Sequence, residues 1–228
     1  MQQGLGGLRR IFVTFLVVLL ASTSVSAQTY PSKPITLVVP FAPGGPADGI
    51  SRNFAAFLNK HFKQTIIVEN VGGVGGSIGV ARVAKAAPDG YTIMYQNLGM
   101  VLGPALNANL GYDPYADFDH LGIVTVSYTT LIARPDIPVK NFAEFLAYLK
   151  TQGEKIMFAN SGTGGISHLC GLLLADTLKT RFTMVNYKGN GPATNDLLGS
   201  RVDLMCDAAA TAAQQIRAGK VRAMGTAG

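Results

Sequence analysis

The 228 residues are 48% hydrophobic and 14% charged, which suits one large or two small globular domains and excludes a disordered chain. The formal charge is +6, or +4 once Arg9 and Arg10 are set aside with the leader described next. The remaining Lys and Arg form no basic run and no aromatic ladder, which argues against nucleic-acid binding.

Residues 1–27 read as a secretory signal peptide. Arg9-Arg10 supply the positive start, Ile11–Leu20 an apolar core too short to span a bilayer, and Ser24-Val25-Ser26-Ala27 small residues at the cut, so that Gln28 opens the mature chain. No Cys follows the core, so nothing suggests a lipoprotein.

The mature chain alternates strand and helix. A strand at 35–39 is followed by a helix at 48–62 with Ile50, Phe54, Phe57, Leu58 and Phe62 on its apolar face. Strand 65–68, helix 77–87, the turn Pro88-Asp89-Gly90 and strand 91–95 come next. Such units favour a parallel sheet covered on both faces. The breaker-rich Gly111–Tyr115 marks a boundary, and the apolar runs 121–126 and 130–133 read as the crossing into a second lobe. There a helix opens at Asn141–Glu144 with capping-box spacing and buries Phe142, Phe145, Leu146 and Leu149. Strand 156–159, helix 166–179, strand 182–185, helix 192–198, strand 202–206, helix 211–218 and a final strand over 221–224 follow. The expected organisation is a leader at 1–27, a first, incomplete α/β lobe at 28–122, a second at 123–222, and a truncated return toward the first lobe at 223–228.

One junction occurs twice. Strand 35–39 runs into Pro40-Phe41-Ala42-Pro43-Gly44-Gly45-Pro46-Ala47-Asp48 and a helix; strand 156–159 runs into Asn160-Ser161-Gly162-Thr163-Gly164-Gly165-Ile166-Ser167-His168 and a helix. A strand, a Gly-Gly loop and a helix start form an anion-binding corner, because free N–H groups and the positive end of the helix dipole share one space. Turn chemistry alone also explains paired glycines. Neither loop holds Lys or Arg, so an anion would rest on N–H groups, hydroxyls and water, which favours reversible binding. Tyr95-Gln96-Asn97, the run Asn186–Pro192 and Asp207 stand at other strand ends, where ligands sit in doubly wound sheets. Asp207 would repel a second carboxylate or accept a hydrogen bond from an amine or hydroxyl; its plainer role is to cap the next helix.

Enzyme motifs fit poorly. Gly75-Gly76-Ser77-Ile78-Gly79 matches G-x-S-x-G, but four glycines separate Ser77 from the preceding strand, and the three histidines, His61, His120 and His168, offer no partner. Neither glycine cluster fits G-x-G-x-x-G, so no nucleotide cofactor is expected. Cys170 and Cys206 show no zinc spacing; an exported protein could pair them, and two buried thiols is the simpler expectation. An exported serine hydrolase using Ser77 and a non-binding fragment are the alternatives to a receptor.

The segments Tyr30–Ile35, Pro40–Asp48, Val68-Glu69-Asn70, Ala86–Tyr91, Gly162–Leu169, Tyr187-Lys188-Gly189 and Leu197–Asp203 together resemble the solute-binding proteins of tripartite tricarboxylate transporters, the Bug family of periplasmic receptors. Val71-Gly72 departs from the family's usual Arg-Pro after Glu-Asn. The resemblance implies a C-terminally truncated, two-lobed type II periplasmic-binding-protein fold with Venus-flytrap closure, no catalysis and no cofactor. It implies a periplasmic, monomeric receptor for a small carboxylate solute, partnered by the membrane subunits of a transporter. By position it assigns ligand binding to Phe41, Gly44, Gly45, Ala47 and Asp48 in the first lobe. In the second it assigns Ser161, Thr163, Gly164, Gly165, Ser167, His168, Tyr187 and Asp207.

Overall fold

The computed structural model describes residues 29–107 and 109–227; the leader expected over 1–27 lies outside them. Both sheets lie within residues 33–228, one compact unit. Among the described residues no helix is long and apolar enough to cross a membrane.

The first sheet has the order β2-β1-β3 and is parallel throughout, from β1 (Ile35–Val39), β2 (Ile66–Asn70) and β3 (Thr92–Met94). Helix α1 (Pro46–Phe62) starts with Pro46 in its first turn, where the missing N–H costs nothing. It packs Ala55 and Leu58 on Ile35, Leu37 and Ile66. Phe57, expected on that apolar face, is 64% exposed. Helix α2 (Ser77–Ala84) follows a 3-10 turn at Val74–Gly76 and lies against β1 and β3. A helix absent from the sequence reading, α3 (Gly99–Leu106), follows β3; its two glycines and Pro104 hid it.

Residues 118–128 form neither helix nor strand, so the apolar run 121–126 is not a strand. Leu121, Ile123 and Val126 are each more than 80% exposed. This crossing leads into the second sheet, ordered β6-β5-β7-β4-β8. Its strands are β4 (Thr129–Ala133), β5 (Met157–Asn160), β6 (Thr183–Asn186), β7 (Leu204–Ala208) and β8 (Arg222–Ala227). The β6-β5-β7 part is parallel, as the alternating pattern requires. Strand β4 runs antiparallel to both β7 and β8. An extended crossing, not a helical crossover, delivers β4, so nothing forces it parallel. Residues 222–227 pair with β4 and form the edge of this second sheet.

Side chains alternate across the second sheet. Phe158, Leu204 and Cys206 face α4 (Phe142–Gln152) and α5 (Ile166–Thr177) in a core with Phe145, Leu149 and Ala175. Ala159, Met205 and Ile132 face α6 (Asn190–Leu198) and α7 (Ala209–Arg217) with Ala193, Leu197 and Ala212. The N-cap half of the box forms, with Asn141 Oδ1 accepting from Glu144 N–H at 2.9 Å; Glu144 Oε2 reaches past the cap and accepts from Lys140 N–H at 2.8 Å. Phe142, at the first helical position, is 54% exposed and not part of the buried face. Cys170 on α5 and Cys206 on β7 form a disulfide, with Cα atoms 6.4 Å apart. The expectation of two free buried thiols is therefore wrong. Helix α5 packs directly on β7, a proximity that linear spacing cannot show.

Candidate ligand-binding cleft

Both glycine junctions end at one cavity of about 130 Å³. Gly45, Pro46 and Ala47 line it from the start of α1, Ile166 and Ser167 from the start of α5, Asn190 from the start of α6 and Ala208 from the residue capping α7. Four helix starts thus converge where unpaired N–H groups and positive dipole ends accumulate. Phe41 and Tyr95 form an apolar wall, and Asn97, Ser161 and Asp207 add polar groups. None of the lining residues is Lys, Arg or His. A second cavity, of about 450 Å³, adjoins the first and shares Pro46, Ile50, Ser127, Asp207 and Ala208 with it.

A polar chain crosses the second-lobe side. Ser161 N–H donates to Ser167 Oγ at 2.7 Å. The Ser161 and Ser167 hydroxyls are 2.8 Å apart, and Ser167 Oγ is 3.2 Å from Asn190 Oδ1. Each hydroxyl has one proton, so the chain is satisfied when Ser161 donates to Ser167 and Ser167 to Asn190. Asn190 Nδ2 then donates to Asp207 Oδ1 at 2.6 Å, and the single proton of the Thr211 hydroxyl is shared between Asp207 Oδ2 at 2.9 Å and Ala208 O at 2.8 Å. Asp207 is 4% exposed. Burial raises its pKa above the ordinary value, against the lowering pull of Asn190, Thr211 and the Ala208 backbone.

Tyr95, Asn97 and Asn190, noted in the sequence at other strand ends, line the cavity, and of the residues that the resemblance assigns to ligand binding it brings together Phe41, Gly45, Ala47, Ser161, Ser167 and Asp207. Gly44 faces the second cavity. The others lie outside both linings. Asp48 holds the first loop in place: its carboxylate accepts from Gly44 N–H at 3.0 Å, Asn70 Nδ2 at 3.0 Å and Arg52 Nε at 3.1 Å. Burial raises the Asp48 pKa, but the bonds from Arg52, Gly44 and Asn70 outweigh it and the net shift is downward. His168 Nδ1 accepts from Gly164 N–H at 3.4 Å, and burial lowers its pKa, so the ring is a neutral loop support. Tyr187 donates its hydroxyl to Asp196 Oδ2 at 2.6 Å; burial and that carboxylate push its pKa up to about 12. Thr163 Oγ1 accepts from Asn186 Nδ2 at 3.3 Å. Ser77 is buried and bonded to Tyr112, not to a histidine.

Sequence reasoning missed Ile50, Ser127, Tyr128 and Thr129. Ser127 and Tyr128 end the crossing and Thr129 opens β4, where no turn or helix-start signal exists to find. It also missed the role of several glycines. Across the cleft, Ala42 N–H donates to Lys188 O at 2.8 Å. A Cβ at Gly72 would lie 2.5 Å from Lys188 O, one at Gly189 2.9 Å from Ala42 N, and one at Gly162 2.6 Å from Gly75 N. Gly191 would meet Pro43 O more closely still, as Gly75 would Thr163 O. First-lobe loops at 41–45 and 72–76 therefore meet second-lobe loops at 162–165 and 187–191 backbone to backbone.

Two lobes, each with a central sheet, and a cleft lined by helix starts define the periplasmic-binding-protein-like α/β class. Three more distant solved structures, 11% to 12% identical with TM-scores of 0.51 to 0.52, share that fold. Nearer relatives give the family. Residues 50–228 match the model of the tripartite tricarboxylate transporter family receptor. The chain is 43% identical over 214 residues to a UPF0065 protein from the TAR-I ttuE-ttuC' intergenic region of Agrobacterium vitis, covering 92% of this chain and 62% of that protein. It is 32% identical over 202 residues to the protein BugT of Bordetella pertussis, covering 88% and 62%. Among solved structures, the periplasmic binding protein BugD is similar at 44% identity and a TM-score of 0.83, covering 87% of this chain and 67% of that one. MatC of Rhodopseudomonas palustris with bound malate is similar at 38% and 0.83, covering 87% and 68%. The chain belongs to the tripartite tricarboxylate transporter receptor family. It spans about two thirds of the length of the relatives it matches.

Proposed function

We propose that this protein is a periplasmic receptor that captures a small carboxylate-bearing solute between lobes at 28–122 and 123–222 and delivers it to the membrane subunits of a tripartite tricarboxylate-type transporter. The observation that carries this reading is the convergence of four helix starts on a cavity without a cationic side chain. A carboxylate there is held by N–H groups and hydroxyls that cost little to release, which suits capture and delivery. Malate in MatC and adipate in a 30% identical R. palustris structure support the ligand class. Of the positions carried over from the family, Phe41, Gly45, Ala47, Ser161, Ser167 and Asp207 would face the solute. Gly44, Asp48, Thr163, Gly164, Gly165, His168 and Tyr187 would shape the loops around it.

A thermal-shift panel tests this. Mono-, di- and tricarboxylates are compared with size-matched amines and neutral sugars on the purified protein. The reading requires at least one carboxylate to raise the melting temperature in a concentration-dependent way. A response confined to amines or sugars would contradict it.

A further inference from the structure

Asp207 sits where the two cavities meet, and it is the one carboxylate among the residues that line either of them. No Lys, Arg or His lines either cavity to offset it. Its orientation is fixed. Ser167 turns Asn190 so that the amide nitrogen points at Asp207 Oδ1, while Thr211 holds Oδ2 from the other side. A carboxylate offers about four acceptor positions; these two side chains and the Ala208 backbone use three of them and leave one for a solute donor. One amide group, that of Asn190, separates Asp207 from the start of α5. A solute carboxylate resting on that helix start therefore brings its neighbouring atoms to Asp207. A hydrogen-bond donor on those atoms completes the buried acceptor; a second carboxylate there meets a like charge in a poorly solvated space.

We infer that Asp207 is a specificity-determining residue that selects solutes carrying a hydroxyl or ammonium group close to the bound carboxylate, over otherwise matched acids that lack one. This rests on the carboxylate reading above and narrows it to hydroxy and amino acids. The wider second cavity, with Asn53, Gln214 and Gln215 on its walls, leaves room for the remainder of such a molecule. Failing to satisfy a buried polar group is a strong basis for discrimination, because the analogue without the donor leaves the acceptor unpaired.

Calorimetric titration of succinate, L-malate and L-aspartate into wild type and Asp207→Asn tests the inference. These acids share four carbons and two carboxylates, differing in the donor. Wild type is expected to bind malate or aspartate at least tenfold more tightly than succinate. In Asp207→Asn the gap is expected to fall below threefold, mainly because succinate gains. Equal wild-type affinities for all three would overturn the inference while leaving carboxylate binding intact, and this result does not depend on the variant folding. A folded variant that weakens all three acids equally would also overturn it. No heat from any of the three with the folded wild type would overturn this inference; the carboxylate reading beneath it falls only if the whole thermal-shift panel of carboxylates is silent as well.

Discussion

Asp207 also has a consequence for stability. Its folded pKa is raised by burial, so the unfolded chain loses that proton at lower pH than the folded one. Stability from this group is complete below the unfolded value of 3.8 and is lost as pH rises through the folded value. Asp207→Asn, which removes the charge but keeps groups for Asn190 and Thr211, is expected to stabilise the free protein at pH 7 by about 1 kcal/mol, or roughly 2–4 °C in melting temperature. That gain should shrink toward pH 4 in thermal melts. His168 acts in the opposite sense. Burial depresses its pKa below 6.5, so its contribution is present above that value and lost as pH falls through the folded one. Ser167 has a different weight. Removing its hydroxyl leaves the buried Ser161 N–H without its acceptor and frees the Asn190 amide. Ser167→Ala is expected to cost about 1–3 kcal/mol in denaturant titrations and to weaken carboxylate binding about tenfold or more.

At the scale of elements, the glycine seam and the disulfide carry the account. Gly72 and Gly191 do not have the positive φ that glycine alone tolerates, so alanine there adds a methyl group without added backbone strain. The methyl would stand against Lys188 O or Pro43 O of the opposite lobe. Gly191→Ala should keep the lobes apart, whereas Gly72→Ala also presses on Ala42 N, 2.8 Å away in its own lobe, and shifts that loop as well. Carboxylate affinity should fall at least tenfold in calorimetry, while each lobe keeps its fold by circular dichroism. The Cys170–Cys206 bond closes a separation of 36 residues inside the second lobe. The loop-entropy relation gives about 3–4 kcal/mol for such a closure, and Cys170→Ser is expected to lower stability by up to that amount. Periodicity found most elements here, since long amphipathic runs and Pro-Asp-Gly turns are local signals. It missed α3 because Gly99, Gly103 and Pro104 are poor helix formers that tertiary contacts hold in place. It misjudged Phe57 and Phe142 because an apolar residue beside the buried stripe satisfies the same periodicity.

For the whole molecule, the strand–helix alternation identified two α/β lobes, and the repeated Gly-Gly junction identified the corners of the cleft. What local sequence could not show is which residues meet across the gap. The seam depends on Gly72, Gly75, Gly189 and Gly191 approaching loops of the other lobe, and the polar chain depends on Ser167 on α5 reaching Asn190 on α6 and then Asp207 on β7. Asp48 and His168 hold like positions in the two junctions, and the family resemblance assigns both to ligand binding. In the folded chain one is bonded to Arg52 and Asn70, and the other to its own loop. The central claim is that the convergent helix starts hold a solute carboxylate without a cationic side chain. Calorimetry at rising ionic strength, using whichever carboxylate gives the largest thermal shift, tests it most directly. The account predicts saturable binding of one solute per chain, lost or weakened at least tenfold in Ser167→Ala, with only a weak dependence on salt because no exposed Lys or Arg makes the contact. Saturable binding that is unchanged in Ser167→Ala and collapses as salt is raised would contradict it.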